Sequence, residues 1–184
     1  MRNILILASF ATLAACNSAD DTAKVESMKS GSDSTVNENV TYPYDITYSS
    51  KFEIGDAKNA QTILNFWKDW DNGNLANGRN SFADTVEMYF SDGEIMKNAK
   101  DSILAAGQAF RDNFSAVKSR VDAVVPLKST DKNEDWVCVW GMETDTHKNG
   151  KVDSFNLQET WRFNKAGKVD LVFQYKAAAA PPKK

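Results

Sequence analysis

Apolar positions recur at helical spacing between Ala57 and Asp71, where Ala60, Ile63, Leu64, Trp67 and Trp70 form one stripe. That period predicts an amphipathic helix, and Asn72-Gly73 supplies its stop. A short helix or turn is predicted over Leu75 to Phe82. From Thr85 to Phe90 the period changes to two, with Val86, Met88 and Phe90 on one side, which reads as a strand closed by the turn Ser91-Asp92-Gly93. A second long helix is predicted over Lys100 to Val117, with Ile103, Gly107, Phe110, Phe114 and Val117 as its buried stripe and Asp101 at the positive end of its dipole.

Beyond that helix only strands are predicted. In Arg120 to Leu127, residues Val121, Ala123, Val125 and Leu127 share a face. In Trp136 to Thr144, Trp136, Cys138, Trp140 and Met142 share one face, while Val137 and Val139 take the other, a candidate for contact with a second copy. Lys148-Asn149-Gly150-Lys151 is a hairpin turn, since Asn-Gly readily takes positive φ. Val152 to Phe163 and Lys168 to Lys176 form a second hairpin around Asn164-Lys165-Ala166-Gly167. Segregated helices and strands mean an α+β domain, its curved antiparallel sheet wrapped around the helices. The aromatic stretch Tyr42 to Ile54 is expected to lie extended against it.

The front of the chain follows another logic. Met1-Arg2, the apolar run Ile4 to Phe10 and the small residues of Leu13-Ala14-Ala15-Cys16 read as a secretory signal too short to span a bilayer. The sequence before Cys16 resembles a bacterial lipobox, which would make Cys16 the lipidated first residue of the mature protein. The expected organisation is a signal over 1–16, a flexible tether over 17–43 poor in large apolar residues, one domain over 44–176, and a frayed tail over 177–184. The partner so implied is a membrane of the bacterial cell envelope, reached through the lipid on Cys16. The outer membrane is the expected one, on its periplasmic or surface side, and the early Asp20-Asp21 pair hints at the surface.

A net charge of −3 supplies no phosphate-neutralising patch, so no nucleic-acid partner is expected. Cys138 is the single cysteine left once Cys16 carries lipid, which leaves no intramolecular disulfide, and its apolar neighbours make a buried inert thiol the default. His147 is the one histidine, set in a polar turn and expected to be exposed and idle, so a His-based metal cluster is excluded. Asp69-Trp70-Asp71-Asn72-Gly73 superficially resembles a calcium loop, but its last ligand position holds Asn80. No phosphate-binding glycine loop or nucleophile motif occurs, and neither cofactor nor metal is expected.

Three pieces together resemble the nuclear transport factor 2-like superfamily, which includes ketosteroid isomerase and the SnoaL-like polyketide cyclases. They are Trp70-Asp71-Asn72-Gly73-Asn74-Leu75, Ser81-Phe82-Ala83-Asp84, and the final hairpin from Glu159 to Val169. The resemblance covers Ala57 to Tyr175. It implies a cone-shaped barrel with a pocket between sheet and helices, and pairing of two copies through the sheet. It also places Glu159 where the isomerase carries an acidic member of its oxyanion hole. The isomerase's general-base Asp falls on Phe90 and its oxyanion Tyr on Phe66, so neither group carries over.

One carboxylate stands out. Phe155, Leu157, Glu159, Trp161 and Phe163 share a strand face, and Glu159 is the only acid among four large apolar residues. A carboxyl there must find a partner or raise its pKa. Two roles remain open: a structural acid paired with an Arg or Tyr or wetted at a strand end, or an acid that contacts ligand. The candidate ligand-binding set is Glu159, Trp161, Trp67, Phe90, Phe110 and Tyr175. Glu159 is also the best candidate for proton transfer, with Tyr89 or Tyr175 as a second group. Three functions follow: a module binding a small apolar or aromatic ligand, a protein-interaction module with a vestigial cavity, and a proton-transfer enzyme of isomerase, dehydratase or cyclase type.

Overall fold

A computed structural model describes residues 41–179. The signal, Cys16, the tether up to residue 40 and residues 180–184 lie outside that span.

Helix α1 runs over Ala57–Asn72. Asp56 caps it by accepting from the Lys58 N–H at 2.8 Å, and Gly73 ends it in the left-handed region at φ 69°. Its buried stripe is Ala60, Ile63 and Trp67. A 3₁₀ helix follows over Leu75–Ser81.

The sheet has seven strands in the order β1-β4-β5-β6-β7-β2-β3. They are β1 Phe52–Ile54, β2 Phe82–Phe90, β3 Ile95–Ala99, β4 Phe114–Ser129, β5 Glu134–His147, β6 Val152–Phe163 and β7 Val169–Ala178. Pairing is antiparallel except between β2 and β7. The expected α+β class holds. Strand β3 was not foreseen, because its five residues are mostly exposed and carry no alternation of their own; pairing with β2 makes it a strand.

Helix α2 covers Lys100–Arg111 and not the predicted reach to Val117. Phe114 and Val117 are buried, but they belong to β4. The Asn113 side chain donates to Ala109 O and Phe110 O, closing the helix, and the ladder to β5 starts at the pair Phe114–His147. The Arg111 guanidinium secures this junction. It donates to Trp70 O and Asp71 O at 2.8 Å each and to Phe114 O at 3.2 Å, tying the end of α1 to the start of β4.

Strand β5 alternates as expected, with Val137 and Val139 as inner positions, but in β4 the expected shared face is broken: the irregularity between Val121 and Ala123 sets Val121 opposite Gly141, while Ala123, Val125 and Leu127 lie opposite Trp140, Cys138 and Trp136. Val137 and Val139 are fully buried against the helices, which overturns their assignment to a face between copies. Val124 packs on the core, while Val121 is exposed and Leu127 lines an outer hollow with Trp136 and Cys138. The segment before β1 does lie along this outer face. The Tyr48 ring meets Trp136 edge-on at 6.1 Å, its hydroxyl donates to the Glu134 carboxylate, and Ser49 Oγ donates to Asp131 at 2.6 Å. At the other end, Ala177 and Ala178 extend β7 where a frayed tail was expected.

Candidate functional site

The inner face of the sheet and the two helices enclose a cavity of about 450 Å³. Five of the six expected ligand-binding residues line it: Glu159, Trp161, Trp67, Phe90 and Phe110. Tyr175 does not. It pairs with Gln158 on the outer side and is 53% exposed, while its neighbours Gln174 and Lys176 line the cavity. Tyr89, the other candidate second group, stacks on Phe173 at 5.0 Å and donates to Glu87, away from the cavity lining. One residue of parity separates each tyrosine from the cavity wall.

Glu159 points inward as its strand position predicts, and it is 5% exposed. Its partners are neither Arg nor Tyr. Trp67 Nε1 at 2.6 Å and Trp161 Nε1 at 3.1 Å donate to Oε2, and Gln174 Nε2 donates to Oε1 at 2.7 Å. Three donors and no acceptor form the environment of an ionised carboxylate. Burial works against that charge and raises the pKa; the three hydrogen bonds and then Lys176 pull it back.

The structure adds an acid the sequence reading passed over. Glu143 lies on the inner side of β5 together with Val137, Val139 and Asp145, and it lines the cavity. It faces Phe155 across the ladder, two inward positions along from the pair Val139–Glu159. Glu143 is 5% exposed. Burial pushes its carboxyl up to about 8, aided by the charge of Asp145, opposed by Lys176, raised further by Glu159 and lowered by the Trp70 indole N–H. That N–H is near enough to favour the anion, yet among the described residues it meets no acceptor at hydrogen-bonding geometry and stays a buried donor without a partner. Asp145 is also buried with its pKa raised, and its Oδ1 is unpaired. Glu143 shares parity with Val137 and Val139, but alternation alone does not say which parity of β5 faces the core. Placing those valines outside hid the acid.

Lys176 is the single cationic side chain among the cavity-lining residues. Its ammonium sits 4.2 Å from the Phe155 ring centre and 5.9 Å from that of Phe110, and it makes no ion pair among the described residues. His147 is half-buried where an exposed side chain was expected: it packs on Phe114 at 4.9 Å and bonds Asp153 at 2.8 Å. Cys138 is half-buried on the outer face, 3.7 Å from Thr160 Oγ1.

An α+β cone with a helix-capped cavity, its sheet wall built from β2, β3, β5, β6 and β7, is the nuclear transport factor 2-like fold, and this chain has it. Among solved structures it is similar to a nuclear transport factor 2-like protein of unknown function from Exiguobacterium sp. 255-15, at TM-score 0.53 and 13% identity over 64% of this chain and 99% of that one. A putative SnoaL-like polyketide cyclase from Jannaschia sp. CCS1 matches at TM-score 0.53 and 14% identity, over 69% and 95% of the two chains. An epoxide hydrolase of M. tuberculosis matches at TM-score 0.55 and 7% identity, over 66% and 84%. No protein-family model matches the sequence, and no curated protein matches it.

Proposed function

We propose that the domain binds a small apolar or aromatic molecule in the cone cavity, with the ligand's polar end held at the wall formed by Glu143 and Glu159. The observation that carries this reading is the buried Glu143 carboxyl, without a salt bridge among the described residues, in a cavity of about 450 Å³ whose other walls are largely apolar, aromatic and aliphatic together. Glu159, bonded three times, holds Trp67 and Trp161 in place as the cavity's floor. The test is uptake of the neutral aromatic probe N-phenyl-1-naphthylamine, followed by its fluorescence. Uptake is expected, and Ala106→Trp, which sets a ring at an exposed lining position, abolishes it. A wild-type protein that takes up no probe ends the reading.

One observation favours a second reading, proton transfer. Glu143, its pKa pushed up to about 8, is poised to give or take a proton near neutral pH. Glu143, not Glu159, is then the acid or base. Retention of full turnover by Glu143→Gln, on any substrate the wild type converts, rules it out.

The tether completes the proposal. Cys16 carries lipid and holds the domain at the cell envelope, outside the cytoplasm. The motive is the Leu13-Ala14-Ala15-Cys16 sequence. Cys16→Ser moves the protein from the membrane to the soluble fraction of bacteria expressing the full chain; unchanged fractionation refutes the anchor.

A further inference from the structure

The cavity walls combine aromatic rings with buried acids that lack counter-ions among the described residues. Glu143 and Glu159 line the interior, and the exposed Asp92 and Glu94 add charge at the rim. Asp145 lies behind Glu143 on the same inward side of β5. Among the described residues none of Glu143, Asp145 and Glu159 has an ammonium or guanidinium within ion-pair distance. Arg111 is turned to three backbone carbonyls, and Lys176 is seated on Phe155 and Phe110. Burying acids without partners is costly, and a low-dielectric wall strengthens their pull on any cation that enters. The rings of Trp67, Trp70, Phe90 and Trp161 line the same cavity, and aromatic rings are groups beside which a cation gains further energy. Lys176 illustrates the preference, since its ammonium rests over rings at this cavity.

We propose that the cavity selects an organic cation: a protonated amine or quaternary ammonium on an apolar body, its charge placed at Glu143 with Glu159 behind it. This deepens the binding reading above and rests on it. The charge resolves two oddities at once. A cation beside Glu143 ionises its carboxyl, and the ionised carboxyl is a stronger acceptor for the unpaired Trp70 N–H. Binding therefore releases a proton. Every charged group facing Glu143 bears on that step. Asp145 on β5 and Glu159 on β6 oppose the ionisation, and Lys176 on β7 favours it. From α1, Asp71 is already committed to the Ser119 N–H at 3.0 Å and to Lys68 at 3.5 Å. Arg111 on α2 and His147 at the end of β5 act through Asp145.

The experiment uses one apolar body with three head groups: 3-phenylpropylamine, 3-phenylpropan-1-ol and 3-phenylpropanoate, titrated calorimetrically into the protein. The amine is expected to bind about tenfold more tightly than the alcohol, and the carboxylate most weakly. Amine affinity rises between pH 6 and 8.5, and its binding heat varies with buffer as a released proton requires. Glu143→Gln removes the amine's advantage over the alcohol. Lys176→Met, which deletes the resident cation, strengthens amine binding. Equal binding of amine and alcohol, or tightest binding of the carboxylate, overturns the cation proposal while the cavity reading stands. Failure of all three, together with no uptake of N-phenyl-1-naphthylamine, overturns both.

Discussion

Trp67 reaches Glu159 because residue 141 has no side chain. A Cβ on Gly141 would lie 2.9 Å from Trp67 Cζ3 and 2.4 Å from the Arg120 carbonyl oxygen. The glycine sits on β5 opposite Leu157, beside the irregularity in β4 between Val121 and Ala123, and it leaves the space that the indole fills. Gly141→Ala therefore displaces backbone as well as the tryptophan. The expected cost is about 1–3 kcal/mol, read from denaturant unfolding, with the Trp67–Glu159 bond lost. An unchanged midpoint would contradict this packing.

Glu159 accepts from two indoles and an amide, so its removal strands two buried donors and one half-buried one. Glu159→Leu should cost about 2–5 kcal/mol, the summed penalty of donors left unpaired, despite its better match to the apolar strand face. Glu159→Gln keeps one acceptor oxygen and should cost about 1–3 kcal/mol. If the leucine variant is as stable as wild type, the hydrogen-bond network does not hold the cavity floor.

The buried acids set a pH dependence with a definite sign. Glu143 is raised from the ordinary 4.5 to about 8, so between those values the folded protein holds a proton that the unfolded chain has lost. Stability is greatest below the lower value, declines as pH rises through the window, and levels off above the upper one. Across that window, stability falls by about 1.4 kcal/mol for each step of one in pH. Asp145 and Glu159, also raised, act in the same direction. Unfolding free energies from pH 5 to 9 check this: Glu143→Gln flattens the slope, and a wild type whose stability climbs across the window refutes it.

Arg111 holds three carbonyls, two at the end of α1 and one at the start of β4. Arg111→Met leaves them without that donor and should cost about 2–4 kcal/mol. Arg111→Lys should not restore it, because one ammonium cannot match the planar fork. Full rescue by lysine in thermal unfolding would count against this role.

The segment around Tyr48 covers Trp136 on the outer face, where the indole N–H is buried without a partner. Tyr48→Ala should red-shift tryptophan fluorescence and speed hydrogen exchange in β1 and the end of β4, at about 1 kcal/mol of stability. No change in exchange there would mean that the strap contributes nothing.

How much of this was legible in the sequence differs from element to element. Helix α1 and strand β6 were fully so, because each carries its own period: the stripe Ala60, Ile63 and Trp67 in one, the alternation ending at Phe163 in the other. Local pattern is enough when one face is buried and the other wet. It also placed Glu159 inward, since every second neighbour on β6 is large and apolar. The end of α2 was not legible, because Phe114 and Val117 suit a helix or a strand equally until β5 pairs with them. Strand β3 exists only through β2. The inner face of β5 could not be read from alternation, because Trp136, Cys138 and Trp140 look as apolar as Val137 and Val139. Only packing against the helices decides which set is buried, and with it that Glu143 and Asp145 face inward while Tyr175 faces out. Parity along a strand is a local property fixed by the chain; which parity meets the core depends on what the sheet wraps around, and that is a property of the whole fold.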